Sequence, residues 1–212
     1  MNEKKEKVRK MTVAYVADGG LYINITNKCT NRCDFCIRNN GDGAYGSDSL
    51  WLLREPTSDE IIEAVISMNP EKFTEVVFCG YGEPSCRLDV AREVAFEIKR
   101  RYPGIKVRIN TNGQSDLIYG KDTVPMYRDA FDSVSVSLNA PFAKRYDEIC
   151  HSVFGEAALD AIIKFAANVK KAVPDVKFSV VRDFLTEDEL EECRKISEQT
   201  GVKLRIRDYI SE

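Results

Sequence analysis

Three cysteines, Cys29, Cys33 and Cys36, fall inside the stretch TNKCTNRCDFCIRNN at residues 26 to 40, in a C-x3-C-x2-C spacing. Their neighbours are Asn, Lys, Thr, Arg and Asp, which build turns and not a packing surface. Thiols in such a setting are not core fillers. Two kinds of chemistry remain, disulfide formation and metal ligation. The chain has no apolar stretch long enough to span a membrane, and its start, MNEKKEKVRK, lacks the apolar core of a secretory signal. These features predict a cytoplasmic protein, whose thiols stay reduced. The total of seven cysteines is odd, which also argues against a complete disulfide framework. A close cysteine cluster in a reducing compartment points to a metal ion or an iron–sulfur cluster.

The rest of the chain must hold that cluster. Its 212 residues, 43% hydrophobic and 31% charged, suffice for one sizeable core, so a single domain is expected. A net charge of -3 gives no signal for nucleic acid or for a membrane surface. The first ten residues are locally basic and read as a solvated terminus. We expect residues 1–18 to form an arm and residues 19–212 the domain.

Six short apolar runs read as strands: LYINIT from Leu21, EVVFCG from Glu75, KVRIN from Lys106, SVSVSLNA to about Leu138, VKFSVV and the last, VKLRIR. Amphipathic helices alternate with them. TSDEIIEAVISM and TEDELEECRKISEQT both open with capping patterns, and LDVAREVAFEIKRRY stops at Pro103 and Gly104. A helix is expected within 120–130, and one or two more between Pro141 and Ala172. Strand–helix alternation predicts an α/β fold with a parallel sheet, and six units fit an open, partial (β/α)6 barrel. A doubly wound open sheet satisfies the same periodicity. In both, reactive residues gather at the carboxyl ends of strands. Here those ends carry the cysteine loop, CGYGEP, NTNG and SLNA in turn.

These motifs resemble a known family. CTNRCDFC looks like the cluster signature of the radical S-adenosylmethionine (radical SAM) superfamily, and GYGEP resembles its Gly-Gly-Glu-Pro motif, with Tyr81 separating Gly80 from Gly82. The opening DGGLYINITNKCTNRCDFCIRNN is similar to the TatD-associated subgroup of that superfamily, whose reaction is undefined. The resemblance implies a partial barrel, a 4Fe-4S cluster on Cys29, Cys33 and Cys36, and S-adenosylmethionine chelated to the iron that the cysteines leave open. It implies a 5'-deoxyadenosyl radical acting on an unknown substrate, and a reductant such as flavodoxin or ferredoxin. The subgroup's association with metal-dependent nucleases suggests a nucleotide-related substrate. Phe35 would lie against the adenine, Gly82 and Glu83 would meet the methionyl ammonium, and Pro84 would fix the following turn. Ser137 and Asn139 are candidates for ribose and carboxylate contacts, and Val181 for packing on the adenine. Asn110 and Asn112 would reach cofactor or substrate, or serve as turn residues beside Gly113.

Other positions are weighed beside these. Cys79 and Cys193 read as buried thiols; Cys86 lies close to the expected site, and adjacent Cys150 and His151 raise an activated thiolate. The loop from Asn39 to Glu55, with Tyr45, Trp51 and Arg54, is long enough to cover a substrate. Two other classes compete with the radical enzyme. A zinc-stabilised binding module or a four-cysteine electron carrier would each need a ligand from elsewhere in the chain.

Overall fold

The structure, a computed structural model, describes residues 11–209. The basic stretch at the start lies outside those residues. Seven strands form one sheet: β1 (Ala14–Ala17), β2 (Gly20–Ile23), β3 (Glu75–Phe78), β4 (Lys106–Thr111), β5 (Ser133–Ser137), β6 (Asp175–Val181) and β7 (Lys203–Arg207). Each strand pairs with the next in chain order, and among the described residues β1 and β7 are the edges. From β2 onward the pairing is parallel. A doubly wound sheet reverses its strand order at a switch point; this sheet never does. It is therefore the partial barrel, winding in one direction and staying open.

The first strand lies within what the sequence suggested was an arm. β1 pairs antiparallel with β2, in the register Ala14↔Ile23 to Ala17↔Gly20. The turn between them is Asp18-Gly19, with φ of 45° and 74°. Two successive positive φ values define the tight hairpin turn that Asp-Gly favours.

Helices α1 (Ser58–Ser67), α2 (Leu88–Arg101), α3 (Ser115–Tyr119), α4 (Val124–Tyr127), α5 (Ala143–Cys150), α6 (Ala157–Val169) and α7 (Glu187–Thr200) connect the strands. Reciprocal capping boxes start α1 at Thr57 and Glu60, and α7 at Thr186 and Glu189. The helix expected within 120–130 is α4, a short turn of four residues, and α3 lies just before that range. Gly120 ends α3 in the left-handed conformation at φ 63°, and Pro125 opens α4.

Alternation along the strands divides the sheet into two surfaces. Leu21, Ile23, Val76, Phe78, Val107, Ile109, Val134, Val136, Phe178 and Val180 belong to the main core, with Ile61, Val65, Val94, Ile98, Leu159 and Ile162 of the helices. Each such large side chain contributes about 1.5–3 kcal/mol when fully buried. The intervening residues point into the concave side. They include Tyr22, Arg108, Asn110, Ser135, Ser137, Ser179, Arg205 and Arg207, and they line a cavity.

Candidate active site

The cavity has a volume of about 420 Å³. Cys29, Cys33, Cys36, Phe35, Gly82, Glu83, Pro84, Asn110, Asn112, Ser137 and Asn139 all line it. Residues from four strand ends thus reach one space, as parallel βα architecture requires.

The cysteine loop is pinned from two sides. The Glu83 N–H donates to the Lys28 carbonyl at 2.8 Å. At Gly82 a Cβ would overlap the carbonyl oxygens of Thr26 and Lys28, so only glycine allows this approach. Across the loop, the N–H groups of Arg32 and Asp34 donate to the carbonyls of Cys150 and Ile149 at 2.9 and 3.0 Å, and that of Val153 donates to Thr30 at 2.9 Å. Asn31 Nδ2 donates to the Tyr146 hydroxyl at 2.9 Å, and Gln114 Nε2 to Asn31 Oδ1 at 2.9 Å. The end of α5 therefore clamps the loop.

All three cysteines are partly buried. Among the described residues, no three His, Cys, Asp or Glu side chains are already drawn together as a metal cage. The sulfurs do have donors suited to thiolates. Arg38 Nε donates to Cys36 Sγ at 3.1 Å, and the Asn31 N–H to Cys29 Sγ at 3.4 Å. Burial, then the Glu83 charge, pushes the Cys29 thiol up to about 12. A hydrogen bond with Cys150, then burial, also raises Cys33. Metal ligation at these positions therefore releases protons.

Glu83 is buried, and most of its acceptor capacity is used. Oε1 accepts from Ser85 N and the Thr111 hydroxyl at 2.9 and 2.7 Å, and Oε2 accepts from Asn112 N at 2.7 Å. A carboxylate has about four lone-pair sites, so one remains for a donor in the cavity. Burial pushes this carboxyl up despite its donors. A cationic partner would favour its ionised form.

Asn139 gives the clearest sign of a missing donor. Its Oδ1 is buried with no hydrogen-bond partner among the described residues, while its Nδ2 donates to Cys150 Sγ at 3.5 Å. Its backbone is left-handed at φ 60°, a conformation Asn tolerates better than most residues. An orphaned buried acceptor on a cavity wall fits a hydroxyl- or ammonium-bearing ligand.

Other expectations divide. Asn112 lines the cavity, yet its side chain serves the turn: Oδ1 accepts from Gln114 N at 3.1 Å and Nδ2 donates to Thr30 at 2.7 Å. Asn110 Oδ1 accepts from Arg108 at 3.1 Å. Val181 belongs to the main core and is absent from the cavity wall; Ser179 represents β6 there. Phe35 tilts against Phe184 at 5.0 Å. Cys86 is off the wall, and Cys79 is on it instead of fully buried. His151 turns away from Cys150 and meets Asp34 at 2.8 Å, so the two do not form a thiolate pair. From the long loop, Ala44, Tyr45 and Leu50 line the cavity. Trp51 stays on the outside against Tyr81, and Arg54 binds Glu60 at 2.7 Å. Tyr81 explains the broken glycine pair: its hydroxyl donates to the Gly41 carbonyl at 2.7 Å and holds that loop.

The sequence reading missed Tyr15, Tyr22, Ser179, Arg205 and Arg207 as wall residues. For the arginines the signal was present in KLRIR, whose two-residue period puts both on one face.

Comparison with known proteins agrees with this layout. The chain is 24% identical over 193 residues to molybdenum cofactor biosynthesis protein 1 of Drosophila melanogaster, covering 90% of this chain and 31% of that protein. It is 33% identical over 93 residues to GTP 3',8-cyclase of Rhodococcus opacus, covering 43% and 24%. The chain thus spans less than a third of either relative's length. Streptococcus suis SuiB bound to S-adenosylmethionine superposes with a TM-score of 0.66 at 18% identity, over 89% of this chain and 40% of that one. A radical SAM methyltransferase from Sphaerobacter thermophilus gives 0.66 at 15% identity, over 91% and 57%. Those two likenesses establish the shared fold. The superfamily's own sequence profile matches residues 23–196, most of the chain, and by that match the chain belongs to the Radical SAM superfamily.

Proposed function

We propose that this protein is an enzyme that reductively cleaves S-adenosylmethionine at a 4Fe-4S cluster and directs the resulting radical to a substrate. Members of the superfamily use that cluster and that cofactor. Together they supply a 5'-deoxyadenosyl radical able to abstract a hydrogen atom. The observation that carries the reading is convergence: the three cysteines, the Gly82–Glu83 corner and the unpaired Asn139 oxygen line one cavity.

On this reading Cys29, Cys33 and Cys36 ligate iron, with Arg38 offsetting their charge. The free acceptor site on Glu83 takes the methionyl ammonium, and Gly82 brings backbone close to it. Asn139 Oδ1 accepts from a ribose hydroxyl beside Ser137, and Phe35 packs on the adenine. Asn112 acts indirectly, by positioning Thr30 in the cysteine loop. Tyr81 and the loop it anchors exclude water from one side.

For the four-thiolate electron carrier a candidate extra ligand is Cys150, the hydrogen-bond neighbour of Cys33. Anaerobic reconstitution separates the readings. We expect a brown protein that, once reduced, converts S-adenosylmethionine to methionine and 5'-deoxyadenosine. Cys33→Ala should abolish both iron loading and cleavage, while Cys150→Ala should keep them. A coloured protein inert toward S-adenosylmethionine, whose cluster is lost in Cys150→Ala, would establish the carrier instead. A colourless protein holding one zinc would establish the binding module.

A further inference from the structure

The cations on the concave side of the sheet fall into two groups. Arg108 is neutralised: its guanidinium makes a bidentate contact with Glu75 at 2.8 and 3.1 Å. Lys177 is paired with Asp175 at 3.1 Å. Arg205 and Arg207, next along the same face on β7, line the cavity. Among the described residues neither makes an ion pair or a side-chain hydrogen bond, although Asp18 and Asp208 line the same space. Burial draws the Arg207 guanidinium down from its ordinary value, and Arg205 adds to that effect. A partly desolvated charge without a counter-ion is costly to keep. Tyr45 lines the same cavity, on the loop that Tyr209 ties to the end of β7 through Asn40 at 2.9 Å.

We propose that Arg205 and Arg207 form an anion subsite for a phosphate group of the substrate. Residues two apart on a strand point the same way, about 7 Å apart. Each guanidinium presents a planar fork of donors. A carboxylate saturates one such fork, whereas a phosphate has oxygens enough to accept from both. The subsite lies at the β7 edge of the cavity, with Tyr45 as a further hydroxyl donor. This inference rests on the proposed radical function only for calling the anion a substrate. The binding itself does not depend on it.

The test uses the full-length reconstituted protein titrated calorimetrically with inorganic phosphate and, separately, with acetate. Arg207→Gln and the more exposed Arg205→Gln should each weaken phosphate binding by about tenfold or more. Arg207→Lys, which keeps the charge but not the fork, should recover part of the loss. Lys195→Gln, on the outer helix α7 and paired with Glu192, should change nothing. Affinity for S-adenosylmethionine should be the same in all four variants. Phosphate binding that is absent in the parent protein, or unaltered in both glutamine variants, would overturn the subsite. Acetate binding as tightly as phosphate would overturn the assignment to phosphate. A selective loss of S-adenosylmethionine affinity in Arg207→Gln would give the arginine to the cofactor and likewise overturn it. Arginine-dependent phosphate binding by a protein that never cleaves S-adenosylmethionine would uphold the subsite while removing the radical reading.

Discussion

Strand β5 reads Ser-Val-Ser-Val-Ser, and its two faces do different work. Val134 and Val136 are fully buried in the main core, while Ser135 and Ser137 look onto the cavity. β4 and β7 follow the same rule with Val, Ile and Leu against Arg and Asn. In a closed barrel the inward residues would fill the interior as packed layers. In this open sheet they do not need to. One set of alternate residues holds the fold together, and the other set is free to bind.

That division makes the largest predicted effect a contrast between neighbouring strands. Phe178→Ala, on the helix-covered face, should cost about 3–5 kcal/mol in urea unfolding. Ser135→Ala, on the cavity face, should stay within about 0.5 kcal/mol. Comparable losses would show that the concave residues are structural after all.

A smaller effect is expected where the two roles meet. Gly82 sits beyond β3, against the backbone of the cysteine loop. Gly82→Ala should destabilise by about 1–3 kcal/mol, because the added methyl has only rigid carbonyls to displace. Iron content after reconstitution should fall with it. A variant that keeps both its urea midpoint and its iron would mean that the loop does not depend on this close approach.

The smallest effect belongs to the outer helices. In the α1 capping box, Arg54 and the Thr57 N–H hold the Glu60 carboxyl down at about 2, from an ordinary 4.5. A depressed folded value means a stabilising contribution that is complete above pH 4.5 and lost as the pH falls through 2. Glu60→Gln should therefore flatten the acid side of the stability profile and lower stability slightly at neutral pH. Cavity-face variants such as Ser135→Ala should leave that profile unchanged. Urea midpoints measured at the three pH values decide it.

The sequence carried much of this arrangement, and the gaps have physical reasons. Six strands were visible because their apolar faces are β-branched runs bounded by Gly, Asn or Pro. Both capping boxes were legible because they are local, with partners three residues apart. β1 was overlooked although AYVA is apolar and VADGGLY carries the hairpin signal, because the basic stretch before it made the whole start read as a terminal arm. The cysteine loop could be read because its chemistry is contiguous. The arginines of β7 could not be valued without knowing that Arg108 finds a carboxylate on the next strand and Lys177 one on its own, while among the described residues Arg205 and Arg207 find none. Asn112 was ambiguous for the same reason, as its partner Thr30 is 82 residues away. Val181 was assigned to the site by its place at a strand end, and packing decided otherwise.

The clamp on the cysteine loop also bears on how the protein is made. Residues 30 to 34 are stitched to residues 149 to 153, more than a hundred positions later. Synthesis delivers the amino end first. The thiols thus leave the ribosome well before the segment that fastens them has been translated. Unlike a zinc finger, whose ion drives its folding, this loop takes its shape from distant partners. If the loop holds the proposed cluster, its loading should follow the winding of the sheet past its fifth strand.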